Sequence, residues 1–145
     1  MDKLTFSKHT YQEFSLLATP SQWRVRGVRG ATTASHNSVE AIAEAVDELL
    51  DALEANNSLD FTEIVSVTFS ATPDLDSIFP AAVARRRPAW DEVPLLDVQQ
   101  MQVVGSLELC IRVLIHLNTP LPQNTLRHVY LRRAAQLRPD LALLS

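Results

Sequence analysis

The chain has 145 residues, 46% of them hydrophobic, and a formal net charge of -4, which suits one compact domain with an ordinary core. That acidic balance excludes general nucleic-acid binding, since phosphates demand a basic field. A single cysteine excludes an internal disulfide and fits a reducing compartment.

Residues 1–22 hold only the short apolar run Phe14 to Ala18. It is too broken for a secretory signal, so the segment reads as a loosely attached extension. From Trp23 the pattern alternates as a strand, with Trp23, Val25, Gly27 and Arg29 on one face and Arg24, Arg26 and Val28 on the other. Arg29 thus ends the apolar side of its strand, and Gly30 is expected to break it. Asn37 with Glu40 predicts a capping-box helix start. Val39, Ile42, Ala43, Val46, Leu49, Leu50 and Leu53 keep helical spacing to about Ala55.

A β-branched run predicts a second strand over Ile64–Phe69, followed by a loop over Ser70–Asp74. Pro80 suits the first turn of a short helix over 81–86. Val93–Asp97 reads as a third strand and Gln99–Ser106 as an irregular link. Leu109–Leu117 is a long strand with Ile111, Val113, Ile115 and Leu117 on one side. Cys110, Arg112, Leu114 and His116 occupy the other. Thr119–Pro122 turns the chain into a last strand over Leu126–Leu131. The order β-α-β-α-β-β-β gives an α+β fold, a mixed sheet with two helices on one face.

Arginines inside strand patterns of an acidic chain suggest an anion pocket, because the guanidinium binds carboxylates by paired hydrogen bonds. Arg112 lies mid-strand among Ile111, Val113 and Leu114. It must snorkel to water, pair with a carboxylate or meet a ligand. Tyr130 is a packing residue with a satisfied hydroxyl or part of a site. Phe79-Pro80-Ala81 is core or pocket wall, and Asp97 and Gln100 are ordinary polar turn residues on spacing alone. Cys110 reads as a small buried hydrophobe. The runs Arg85–Arg87 and Arg132–Arg133 read as solvated faces. Four scattered histidines lack metal-ligand spacing, and no apolar run nears the roughly 18 residues of a membrane span. With three glycines, no phosphate loop and no supported Ser/His/Asp grouping, an enzyme here would work by binding and electrostatics.

Segments in order along the chain carry a resemblance. They are Arg26-Gly-Val-Arg-Gly-Ala-Thr-Thr33, Ser70-Ala-Thr-Pro-Asp-Leu75, Phe79-Pro-Ala81, Val93-Pro94, Cys110-Ile-Arg-Val113, Pro122-Gln123, Arg127-His-Val-Tyr-Leu131 and Leu137-Arg-Pro-Asp-Leu141. From about Arg24 to Leu141 the chain resembles the monofunctional chorismate mutases of the trimeric α/β-barrel class. The resemblance implies a cytoplasmic, cofactor-free homotrimer, with residues 23–145 as its domain and sites at subunit interfaces. It implies the Claisen rearrangement of chorismate to prephenate in aromatic amino-acid biosynthesis. Neither a nucleic acid nor a membrane is expected as a partner.

On that resemblance Arg112 serves the ether oxygen, while Arg29 and Tyr130 hold a carboxylate. Phe79, Ala81 and Arg85 come from a neighbouring subunit, and Leu137 and Arg138 belong to a C-terminal segment that closes the site. Two positions depart from the family. Gln100 stands where a glutamate is usual, and Asp97 where a cysteine is common. Glutamine accepts a hydrogen bond but supplies no charge, and Asp97 could restore that charge. The alternative is a non-catalytic module on the same trimeric fold, binding a small carboxylate.

Overall fold

The structure, a computed structural model, describes residues 22–141. The extension expected over residues 1–22 lies, but for Gln22, outside the described residues. Five strands form one mixed sheet: β1 (Arg24–Thr33), β2 (Ile64–Ala71), β3 (Leu95–Gln99), β4 (Cys110–Thr119) and β5 (Val129–Tyr130). Their spatial order is β3-β2-β4-β1-β5. β4 runs antiparallel to both β1 and β2, while β3 and β5 lie parallel to β2 and β1.

Two helices, α1 (Val39–Asn56) and α2 (Pro80–Arg85), cover one face of this sheet. The stripe Ile42, Val46, Leu49, Leu50 and Leu53 of α1 is fully buried against Val28, Val67, Phe69, Ile111 and Ile115. A helix this regular in its apolar spacing is stabilised mainly by that burial. Ser38, not Asn37, caps α1, its hydroxyl accepting from Ala41 N at 3.0 Å. Asn37 is drawn away by Asp76 and Ser77, which it bonds at 2.7 and 2.8 Å. Pro80 opens α2 as expected.

Gly30 does not break β1, which continues to Thr33. A Cβ at Gly30 would approach Val113 at 3.0 Å and Leu49 and Leu53 at 3.1 Å, so glycine serves there as the point of close approach between strand and helix. β1 also presents its faces the other way round from the expectation. Val28 is the buried side, whereas Trp23 and Val25 are 60% and 56% exposed and Arg29 is exposed with them. The alternation was sound, but the helices cover the opposite face.

β2 runs on through Ser70 and Ala71, and β3 starts two residues later than expected, at Leu95. β5 shrinks to two residues, because the side chains of Gln123 and His128 take the outward backbone groups of Gly27 and Arg29 that a longer strand would have paired. After it Arg132, at φ 53°, starts a 3-10 turn over Arg132–Gln136. Its side chain donates to Glu48 Oε1 at 2.8 Å and to the Thr33 carbonyl at 3.2 Å.

Candidate active site

The helix-free face of the sheet is organised by register. Ala31 pairs with Arg112 and with Tyr130, Arg112 pairs with Ser70, and Ser70 pairs with Val98. Directly paired residues point to the same side, so one cross-strand row runs Val98, Ser70, Arg112, Ala31, Tyr130. The adjacent row on that face holds Leu96, Thr68, Leu114 and Arg29. Arg29 from the first described strand, and Arg112 and Tyr130 from the last two, thereby line one cavity of about 350 Å³ together with Thr68, Ser70 and Leu114. Tyr130 is 6% exposed and packs on Ala31 and Ala134, with Leu137 and Leu141 against the same cluster.

The cleft is cationic. Among the described residues neither Arg29 nor Arg112 makes an ion pair with a carboxylate. Arg138 does: it forks onto Asp140 at 3.1 and 2.9 Å, which holds the Asp140 carboxyl below its ordinary range. Beside Arg112, burial pushes the Cys110 thiol up despite the guanidinium's opposing pull, so it stays protonated as a small buried hydrophobe. Gln100 sits at the end of β3, its backbone N–H on the Ala71 carbonyl and its amide oxygen 3.5 Å from the Ser70 hydroxyl.

The remaining expected residues gather elsewhere. Asp97 pairs with Phe69, a core residue, and so points to the helix face. Its carboxylate accepts from the Ala81 N–H at 3.0 Å. Burial raises the Asp97 pKa, and the Ala81 N–H and the Arg85 charge oppose that rise. Phe79, 69% exposed, lines a second cavity of about 640 Å³ with Asp97, Pro80 and Ile78. Ala81 is buried, with its backbone N–H on Asp97, and Arg85 is exposed at the end of α2. One chain thus carries two separate clusters: Arg29, Arg112, Tyr130 and Gln100 on the open face, and Phe79, Ala81, Arg85 and Asp97 around α2. Thr68, Ser70 and Leu114 were missed as lining residues. Only Leu114 had a sequence signal, standing two residues from Arg112 on the same strand side.

Among the described residues no three His, Cys, Asp or Glu side chains gather to hold a metal ion. No helix there is long and apolar enough to cross a membrane.

Fold and site together define a small α+β protein in which two arginines line one cleft on the helix-free face of the sheet. The chorismate mutase type I family model matches residues 25–141. Chorismate mutase AroH of Bacillus subtilis (strain 168) is 41% identical over 119 residues, covering 82% of this chain and 94% of that protein. Chorismate mutase AroH of Thermus thermophilus is 49% identical over 118 residues, covering 81% and 96%. A solved chorismate mutase from Clostridium thermocellum superposes with a TM-score of 0.72 at 39% identity, covering 76% of this chain and 97% of that one. The chain belongs to the type I chorismate mutase family, and its activity is that family's isomerisation.

Proposed function

We propose that chorismate is rearranged to prephenate in the Arg29–Arg112–Tyr130 cleft, completed by the α2 cluster of a neighbouring copy in a homotrimer. The observation that carries this reading is the convergence of those three residues on one cavity of the helix-free face. The substrate is a dicarboxylate whose enolpyruvyl ether must fold over its ring before the C–O bond breaks and the new C–C bond forms. Arg29 and Tyr130 hold carboxylate, so the folded conformer is the one retained, and a conformational barrier is removed in advance. As the ether bond opens, negative charge grows on its oxygen. Arg112 stabilises that charge more strongly in the transition state than in the ground state. No proton transfer or covalent intermediate is required, and no cofactor.

Phe79, Ala81 and Arg85 would wall the cleft from the neighbouring copy, and Leu137 and Arg138 would close it. Exposed Trp23, Val25, Leu96 and Val98 supply apolar area for contact between copies. In this reading residues 23–145 form the catalytic domain, residues 1–22 lie outside it, and the protein works in the cytoplasm. A second reading, a non-catalytic module that holds a small carboxylate on the same fold, would rest on Gln100, which places an uncharged amide beside Ser70, and it runs against the family's isomerisation. Following the loss of chorismate absorbance with purified protein separates the two: turnover supports the mutase, and binding without turnover supports the module.

A further inference from the structure

β1 carries Arg29 along an edge that β5 covers for only two residues, Gly30 and Ala31. Side chains complete the rest. Gln123 bonds both groups of the Gly27 peptide, accepting from its N–H at 3.1 Å and donating to its carbonyl at 2.6 Å. The next outward N–H, that of Arg29 itself, donates to His128 Nδ1 at 2.9 Å. The backbone just before His128 is anchored from α1: Asn57 at its C-cap accepts from Arg127 N at 2.8 Å and donates to the Arg127 and Leu53 carbonyls at 3.0 Å. A backbone N–H can only donate, so Nδ1 must be unprotonated and the ring proton must sit on Nε2.

We propose that His128 is a positioning residue for the reaction: its neutral imidazole, with Gln123, substitutes for a missing strand and fixes the backbone from which Arg29 reaches the substrate carboxylate. The inference rests on the reading of Arg29 as a carboxylate ligand. β4 pairs the other side of β1 throughout, so what His128 and Gln123 hold is its outer edge, and a charged group displaced by even a small shift of that edge loses binding steeply. The surroundings favour the required protonation state. Burial comes first, then the cations Arg29 from β1 and Arg138 from the C-terminal turn, the latter paired with Asp140; together they lower the His128 pKa. Protonation would put two donors face to face and release Arg29.

The test measures kcat and KM for chorismate from about pH 4.5 to 8 in the parent, His128→Asn, His128→Leu and Arg29→Ala, with unfolding and oligomeric state checked for each. Asparagine offers Oδ1 where Nδ1 stood and does not titrate. The parent should lose kcat/KM on the acid side. His128→Leu should raise KM about tenfold at every pH. His128→Asn should recover KM to within about threefold of the parent and lack the acid limb. A parental profile without an acid limb, or a limb that His128→Asn reproduces, overturns the proposal even where the leucine variant does not fold. Parental KM in Arg29→Ala would instead remove the reading beneath it. A large loss there, with unchanged acid limbs, would leave that reading standing and sink His128 alone.

Discussion

Asp97 and Arg112 occupy opposite faces of one sheet: Arg112 shares a row with Ser70 and Val98, while Asp97 pairs with core Phe69 and receives the Ala81 N–H. No side-chain rotation in one chain brings Asp97 round to the arginine cleft, because alternate residues of a strand keep opposite sides. A site using both clusters must therefore combine two copies.

Mixing tests that arrangement. Arg112→Ala removes the open-face cluster's cation, and Arg85→Ala damages the α2 cluster. Each alone should be nearly inactive. Unfolded and refolded together in equal amounts, they should recover about a quarter of parental activity, because each mixed trimer regains one intact site in three. Recovery no greater than the sum of the two homotrimers would sink the shared site.

The Asp97 carboxyl makes a prediction about stability and one about rate. Its pKa is raised in the native state, so this group favours folding most below the ordinary carboxylate pKa of about 3.9. That contribution is lost as pH rises through the native value. Asp97→Asn keeps an acceptor for Ala81 N–H and should melt no lower than the parent at neutral pH, any advantage shrinking toward pH 4. If Asp97 supplies the charge that Gln100 lacks, the same variant should also turn over at least about tenfold more slowly. Gln100→Glu should then be neutral or harmful. Unchanged turnover in Asp97→Asn with a large gain in Gln100→Glu would assign that role to position 100 instead.

Replacing Arg112 with alanine should depress kcat far more than it raises KM, by ~3–4 kcal/mol on the scale of a lost oxyanion donor. Lysine should rescue little, since a flexible point charge does not reproduce a planar fork. Arg112 is exposed and pairs with no carboxylate among the described residues, so both variants should melt like the parent. Near-parental kcat in folded Arg112→Ala would remove it from the mechanism.

Gly30→Ala should destabilise the fold by about 1–3 kcal/mol. The added methyl meets Val113 from the sheet and Leu49 and Leu53 from α1 at 3.0–3.1 Å, so relief toward one neighbour tightens another. Chemical denaturation of the purified variant measures it. An unchanged midpoint and slope would show that α1 yields freely.

Much of this architecture was legible because it is periodic. The α1 stripe and the alternation of β4 are local patterns, and both appear in place. What misled were positions whose partners are remote. Gly30 looked like a breaker because Leu49 and Leu53 are invisible from its neighbourhood. Asn37 looked like a cap until Asp76 and Ser77 claimed it. The long β5 failed because Gln123 and His128 take over the bonding a strand would have provided. Arg29 and Arg112 could be suspected singly, but their sharing of a cleft depends on the β1–β4 register, and Asp97's orientation on the β2–β3 register. The family resemblance already set Phe79, Ala81 and Arg85 apart as a neighbour's residues; the sheet register adds that Asp97 lies with them and off the arginine face.

The strand order also dictates a timetable for assembly. β1 is the first made of the described strands, yet both of its neighbours, β4 and β5, come from the far end of the chain. Until residues beyond Cys110 are synthesised, β1 has only α1 to lean on, and its backbone groups stay with water. Loop closure across more than half of the chain must precede the contacts that reward it, which makes folding slow for a domain of this size. The cleft residues lie on these late-pairing strands, so a chain cut short before Tyr130 would lack one wall of the cleft however well its helices had formed.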